Sequence, residues 1–212
     1  MALTEEQIEK FKGAEKETED ALDLLFVADD IAEAGDKEWA KEMYKKVENK
    51  SKISPHFHNL ADSVYDNLGD KEWAKKLIEI AIEKERDEKD RGSGKKIIAD
   101  SICKIFNDKE WAKKLYKGAE EDAQRGSSIC TVADAIFNNL NDKEWAKKLY
   151  KKAEGMVEGS FDNKVVADCV LKNLEDKEWA KKVYLKALEL VDDEECDEDD
   201  IAEIKEALKE LG

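Results

Sequence analysis

The sequence predicts an all-α fold built as a solenoid of helix pairs, and three observations lead to this prediction. The heptapeptide DKEWAKK, or a close variant, occurs five times, and its Asp recurs at intervals of 34, 38, 34 and 34 residues. A fixed period near 34 is typical of arrays in which each helix pair buries its apolar stripe against its neighbours. A single proline and ten glycines in 212 residues leave long stretches free to be helical. The alternation of apolar and polar residues that indicates strands is hard to find.

The first predicted element is a capping helix in residues 1–17. The segment FKGAE echoes YKGAE of a later repeat, which places Glu6 and Gln7 where that repeat has Trp111 and Ala112. Polar residues at these places suit a terminal helix, because no neighbour covers its outer face.

Residues 18–191 are predicted to form five helix pairs, and the heptapeptide opens the second helix of each pair. Its Asp is a favourable N-cap, and the Glu two residues later favours the positive end of the helix dipole. The residues that follow place apolar side chains on one side at helical spacing. All five tryptophans of the chain belong to this heptapeptide: Trp39, Trp73, Trp111, Trp145 and Trp179.

The first helix of each pair lies upstream, where an Ala-Asp pair recurs. Catalysis requires different residues at one place, so one carboxylate per stacking unit is better explained by stacking. We expect this Asp to accept a hydrogen bond from a neighbouring helix N-terminus or from the indole N–H of a tryptophan. The first pair offers VADDI at 27–31, and the other four contribute Asp62, Asp100, Asp134 and Asp168.

Two segments depart from the regular period. The longer interval of 38 residues is assigned to EKERDEKDRGSGKK at 83–96, whose glycines and charges predict an exposed loop. Residues 192–212 are predicted to form an acidic link and a closing helix, with Ile201, Ile204, Leu208 and Leu211 on its apolar face. The prediction is therefore twelve helices in one repeat domain that spans residues 1–212.

The segments GDKEWAKKLIEIA (69–81) and NDKEWAKKLYKKA (141–153) resemble the tetratricopeptide repeat, and the Sel1-like repeat is similar here. The resemblance implies a right-handed α-solenoid that acts as a protein–protein interaction module or adaptor. Three features depart from the family pattern. The tryptophan lies in the second helix, an Asp stands where the first helix is expected to carry a small Gly, and the closing proline is absent.

The resemblance also implies that the first helices line a concave groove which holds a peptide or protein segment. The side chains expected there are short polar and amide groups, with little charge. Asn side chains can bracket the backbone of an extended peptide. The expected groove residues are Asn59, Ser63, Asn67, Ser101, Thr131, Asn138, Asn139, Lys172 and Asn173.

Residue patterns that would indicate chemistry have simpler explanations. His56 and His58 are two residues apart on a predicted helix and have no third ligand nearby, so no metal site is expected. RGSGKK at 91–96 lacks the GxxxxGK[ST] spacing, and VDDEECDEDD at 191–200 lacks the EF-hand glycine and ligand rhythm. We expect a binding protein without a cofactor, and not an enzyme.

The four cysteines form no CxxC pair, and the N-terminus has no apolar signal region, so a reduced protein in the cytoplasm is expected. Of the net charge of −16, residues 1–20 contribute −4 and residues 192–212 contribute −9. With no excess basic stripe, nucleic acid and anionic membranes are disfavoured as partners.

Two alternatives to the adaptor stay open. The acidic segment 192–212 could dock a basic protein or mimic nucleic acid, as an inhibitor does. The chain could also be a structural or engineered array with no dedicated ligand. A protein or peptide partner, basic in the case of the acidic segment, and a monomeric state are favoured.

Overall fold

The computed structural model describes residues 3–87, 93–156, 159–191 and 198–212. These residues form twelve α-helices and no strand, which confirms the all-α fold class and the number of helices. Helix α8 continues directly into a π-helical segment, Ile136–Leu140. The helices are α1 (Glu5–Glu17), α2 (Ala21–Glu33), α3 (Lys37–Lys50), α4 (Ser54–Leu68), α5 (Lys71–Asp87), α6 (Ser93–Phe106), α7 (Lys109–Asp122), α8 (Gly126–Ala135), α9 (Lys143–Glu154), α10 (Ser160–Leu174), α11 (Lys177–Glu189) and α12 (Glu198–Leu211).

The chain divides into two compact units. Unit 1 comprises Met1–Asp90 with Ile97–Ala112, and unit 2 comprises Arg91–Lys96 with Lys113–Gly212. Within unit 1, α2 packs on its second helix α3 and on the next first helix α4, and α4 packs on α5. Within unit 2, α8 packs in the same way on α9 and α10, and α10 packs on α11. Neighbouring helix pairs therefore stack as predicted, while the assignment of residues 1–212 to one domain stays a prediction.

The heptapeptide begins each second helix, as its sequence predicts. Its Asp side chain accepts a hydrogen bond of 2.9–3.1 Å from the backbone N–H of the tryptophan three residues later. The alanine after the tryptophan is fully buried in every copy, and its small side chain lets the second helix approach its neighbours closely. The capping residues are Asp36, Asp70, Asp108, Asp142 and Asp176.

The tryptophans are half-buried, and three of them connect consecutive second helices. In three copies the indole Nε1–H donates to a glutamate 25 residues earlier, at 2.8–3.0 Å. Trp39 instead meets Phe11 of the capping helix edge-on, with 6.0 Å between the ring centroids. The pairs are Trp73 with Glu48, Trp145 with Glu120, and Trp179 with Glu154.

The prediction of an exposed loop at 83–96 is wrong at both ends of this segment, because both ends are helical. Helix α5 continues to Asp87, and α6 begins at Ser93, while residues 88–92 lie outside the described part of the chain. Glu, Lys and Arg are good helix formers, so the charged run prolongs α5 instead of ending it.

The closing helix belongs to the folded array. Ile204 of α12 is fully buried. Lys164 of α10 contacts Glu203 at 2.7 Å and Asp200 at 3.3 Å. Deletion of residues 192–212 would therefore remove a packed helix together with the acidic link, of which residues 192–197 lie outside the described residues.

The turn between the two helices of a pair requires a left-handed backbone. At the residue before the heptapeptide, φ is 69° at Gly69, 54° at Asn107, 57° at Asn141 and 54° at Glu175. Glycine adopts this conformation without steric cost and asparagine adopts it more readily than most residues, whereas glutamate does so at a cost. The fifth pair therefore stores strain at Glu175.

We expect Glu175→Gly to raise the free energy of unfolding by about 0.5–1 kcal/mol, because it removes this strain. Urea denaturation of both proteins measures the difference. Glu79→Gly, at an exposed position in the middle of α5, is the matched control and should lower stability by about 1 kcal/mol. A loss of stability in both variants would contradict the explanation.

Candidate functional site

The recurring Asp of unit 1 lies at the centre of a hydrogen-bond network that joins three helices. The hydroxyl of Tyr44 on α3 donates to Oδ1 of Asp29 on α2 at 2.7 Å. From α4, Ser63 donates to Oδ2 at 3.0 Å, and Nδ2 of Asn67 donates to Oδ1 at 3.0 Å. Asn67 Nδ2 also lies 2.7 Å from the hydroxyl of Tyr44. One carboxylate thus fixes a first helix to its second helix and to the next first helix.

Unit 2 repeats this network. Tyr150 donates to Oδ1 of Asp134 at 2.5 Å, and Asn173 donates to the same oxygen at 2.8 Å. Asn173 also donates to the hydroxyl of Tyr150 at 2.8 Å. Parts of the arrangement recur where Tyr184 donates to Asp168 and Asn139 donates to Tyr116.

The recurring Asp accepts hydrogen bonds as predicted, but the predicted donors are wrong. Its donor on the second helix is a tyrosine hydroxyl, and the tryptophan indoles donate to glutamates instead. The reason is the position of each side chain. Tyr44 and Tyr150 are fully buried in the stripe that faces the first helix, whereas the tryptophans stand half-buried at its edge.

Asp62 is an exception within this pattern. The second-helix position that carries Tyr44 and Tyr150 carries Ile78 in the second pair, and the position of Asn67 carries Ile105 in the third first helix. Both isoleucines are buried. Two isoleucines thus stand where the other network has a tyrosine and an asparagine, and Asp62 has no tyrosine donor.

Asp62 lies instead in a groove of unit 1 formed by α2, α4 and α6, with a volume of about 390 Å³. Ser101 hydrogen bonds to its carboxylate, and Nζ of Lys104 lies 3.8 Å from Oδ2. Oδ1 of Asp62 is buried and has no hydrogen-bond partner. The groove is lined by Leu22, Leu25, Phe26, Asp29, Asn59, Asp62, Ser63, Asp66 and Lys104.

Phe26 forms the apolar wall of the groove, with 59% of its surface exposed. The prediction of groove residues missed it, although the sequence holds a signal. Phe26, Asn59 and Thr131 each lie three residues before the Asp of their first helix, so the repeat register assigns them to one face. Asp66 and Lys104, which were also missed, share the register of the predicted residue Lys172.

Burial raises the pKa of the groove carboxyls Asp29 and Asp62, and hydrogen bonds or nearby cations offset this only in part. For Lys104 desolvation lowers the pKa, but the hydrogen bond to Asp66 and the charge of Asp62 raise it overall. Since both carboxyls bind protons more readily in the folded state, their ionisation opposes folding at neutral pH. The groove therefore carries negative charge that its own residues compensate incompletely.

The remaining predicted groove residues do not share one site. Asn59 and Ser63 line the groove, and Ser101 is buried behind it. Thr131, Asn138 and Lys172 are exposed in unit 2. The amides of Asn67, Asn139 and Asn173 are used in the hydrogen bonds described above, so we now assign these residues to the packing of the repeats.

His58 is buried on α4, with 5% of its surface exposed, whereas His56 is half-buried. Burial lowers the pKa of His58 to about 4, and hydrogen bonds to the Ser54 backbone and the Asn59 side chain offset only part of this shift. In the described part of the chain no group of three or more His, Cys, Asp or Glu residues is arranged to hold a metal ion.

The groove of unit 1 offers a ligand an apolar wall, hydrogen-bonding groups and carboxylates.

Comparison with protein-family models and with curated proteins yields no match. The likeness to the tetratricopeptide repeat therefore rests on the residues quoted above. Among the described residues, no helix is long and apolar enough to cross a lipid bilayer.

Proposed function

We propose that this protein is an interaction module, or adaptor, that binds an extended segment of another protein in the unit 1 groove. The observation that carries the proposal is the largely exposed ring of Phe26 beside polar groups of α4 and α6. A large exposed aromatic side chain in a groove is typical of a binding site.

The residues around Phe26 offer two kinds of contact to a peptide. Covering its ring, which is 59% exposed, with an apolar side chain would stabilise the complex by about 1–2 kcal/mol. Asn59 and Asp66 lie on α4, where they can accept hydrogen bonds from the backbone N–H groups of an extended chain. A peptide needs both kinds of contact, because the apolar contact supplies affinity and the hydrogen bonds fix the position of the peptide along the groove.

This proposal places the protein in the cytoplasm as a monomer that needs neither a cofactor nor a nucleic acid. Among the described residues, Cys130 and Cys169 form no disulfide, which suits a reducing compartment. The carboxylates of the groove would repel a phosphate backbone. We propose recognition and not catalysis, because the groove presents an apolar surface and hydrogen-bonding groups to a ligand.

Peptide display tests this function. The full-length protein is used to select binders from a random dodecapeptide library, and the selected peptides are synthesised and titrated by fluorescence anisotropy. We expect Phe26→Ala to weaken their binding about tenfold, which corresponds to about 1.4 kcal/mol, because it removes the apolar wall.

Phe161→Ala is the matched control, since Phe161 is also an exposed phenylalanine but belongs to α10 of unit 2. It should leave the affinity unchanged. Failure to select any peptide, or equal affinities for the Phe26 and Phe161 variants, would contradict the proposed function. Because Phe26 is mostly exposed, its replacement should also leave the melting temperature nearly unchanged.

A further inference from the structure

Lys104 of the groove forms ion pairs that a cationic group of a ligand can form in its place. Its ammonium group lies 2.6 Å from Oδ2 of Asp66 and 3.8 Å from Oδ2 of Asp62. The side chains of Lys104 and Asp66 are 45% and 49% exposed. Ion pairs as exposed as this contribute little to stability, because water solvates the separated charges well. An exchange of Lys104 for another cation would therefore cost the protein little.

Asp62 lacks a donor that its counterparts have. Asp29 and Asp134 receive a tyrosine hydroxyl and an asparagine amide, whereas the corresponding positions of the second pair carry Ile78 and Ile105. As a result Oδ1 of Asp62 is buried without a partner. Since Oδ1 is closed to solvent, a donor from outside can reach only Oδ2, the oxygen that Lys104 approaches.

The charges of the groove favour a cationic donor. Two carboxylates, those of Asp62 and Asp66, lie within 3.8 Å of one ammonium group, that of Lys104, and Asp29 adds a third carboxylate to the lining of the groove. A guanidinium group can donate to two carboxylates at once and suits this arrangement better than a neutral donor. On the α2 side of the groove, Phe26 offers an apolar surface for the next side chain of the same ligand.

We propose that the groove selects peptide segments in which a lysine or arginine adjoins a large apolar residue. The basic side chain takes the place of Lys104 between Asp62 and Asp66, and the apolar side chain packs on Phe26. This inference rests on the proposed function, and it adds the chemical class of the ligand. The acidic charge at the two ends of the chain is not needed for it.

The test uses the peptides selected from the dodecapeptide library on the full-length protein. We expect Lys and Arg to be enriched next to apolar residues relative to the unselected library. We expect Asp66→Asn and Asp62→Asn each to weaken binding of the tightest peptide about threefold, because each removes one carboxylate charge next to the basic side chain. Lys104→Gln should tighten binding about threefold, because it removes the internal competitor.

Matched controls separate these effects from changes in global charge. Lys172→Gln changes a lysine at the equivalent repeat position in unit 2, and Asp30→Asn changes an exposed acid of α2. Both should leave the affinity unchanged. Thermal melts verify folding, and Asp62→Asn should not lower the melting temperature, because the ionised carboxylate opposes folding at neutral pH.

The outcomes distinguish this inference from the function on which it rests. If no peptide is selected, both fail. If peptides bind in a manner that depends on Phe26 but carry no basic residue, the function stands and this inference is wrong. Unchanged or weaker binding by Lys104→Gln would also overturn it, since a purely structural role of the ion pair gives no increase in affinity.

Discussion

Asp134→Ala is expected to lower the free energy of unfolding by about 2–3 kcal/mol. Oδ1 of Asp134 accepts from Tyr150 at 2.5 Å and from Asn173 at 2.8 Å, and Tyr150 is fully buried. Burial, followed by the hydrogen bond to Asp134, raises the pKa of Tyr150, so its hydroxyl stays protonated and remains a donor. Without Asp134 the hydroxyl and the amide would keep only each other as partners. Urea denaturation followed by circular dichroism measures the loss.

Two further variants show whether the hydrogen bonds cause the loss. Asp134→Asn retains a carbonyl acceptor and should lose no more than about half as much stability. Glu121→Ala, an exposed acid on α7 of the same unit, should change stability by less than about 0.5 kcal/mol. If Asp134→Ala cost no more than the Glu121 variant, the stacking role of the recurring Asp would be wrong.

The fold could be predicted because its determinants are local and repeated. The heptapeptide carries its own N-cap, a fully buried alanine and a half-buried tryptophan, and its five copies predict five helix pairs. The ends of α5 and α6 were harder to predict. Glycine and charge near residue 90 predicted a loop, but helix propensity carries α5 to Asp87.

The candidate site could be predicted only in part. Asn59 and Ser63 were predicted because they are short polar residues on a first helix, whereas Phe26 and Lys104 were not, because the expected groove was rich in amides and poor in charge. Asn173 was also predicted to line a groove, and its amide donates to Asp134. Composition cannot tell an amide that faces a ligand from one that faces a neighbouring helix, as Asn173 does.

Comparing the residues that follow each recurring Asp indicates the position of the candidate groove better than the distribution of amides does. The recurring Asp is accompanied by a tyrosine 15 or 16 residues later in unit 1 and unit 2, but Asp62 is followed by Ile78. Where the residues that complete a structural network are replaced together, the remaining carboxylate is free to serve another purpose. In this chain that carboxylate borders the groove beside Phe26, where its charge can contribute to recognition.

Acidification is expected to destabilise the fold through His58. Burial lowers the pKa of His58 to about 4 in the folded protein, against an ordinary value near 6.5 in the unfolded chain. As the pH falls below about 6.5, the unfolded chain binds a proton that the folded state binds only near pH 4. The free energy of unfolding should therefore decrease by about 2–3 kcal/mol across this interval. Urea denaturation at a series of pH values measures the slope.

The carboxyls act in the opposite direction and must be separated from His58. Since burial raises the pKa of Asp29, Asp62 and Asp168, their protonation stabilises the fold as the pH falls through these raised values. His58→Gln retains the carboxyls and removes the histidine, so the difference between its pH profile and that of the original protein isolates the imidazole. Equal pH profiles for His58→Gln and the original protein would mean that His58 takes up its proton equally well in the folded and unfolded states, and its burial would then carry no penalty.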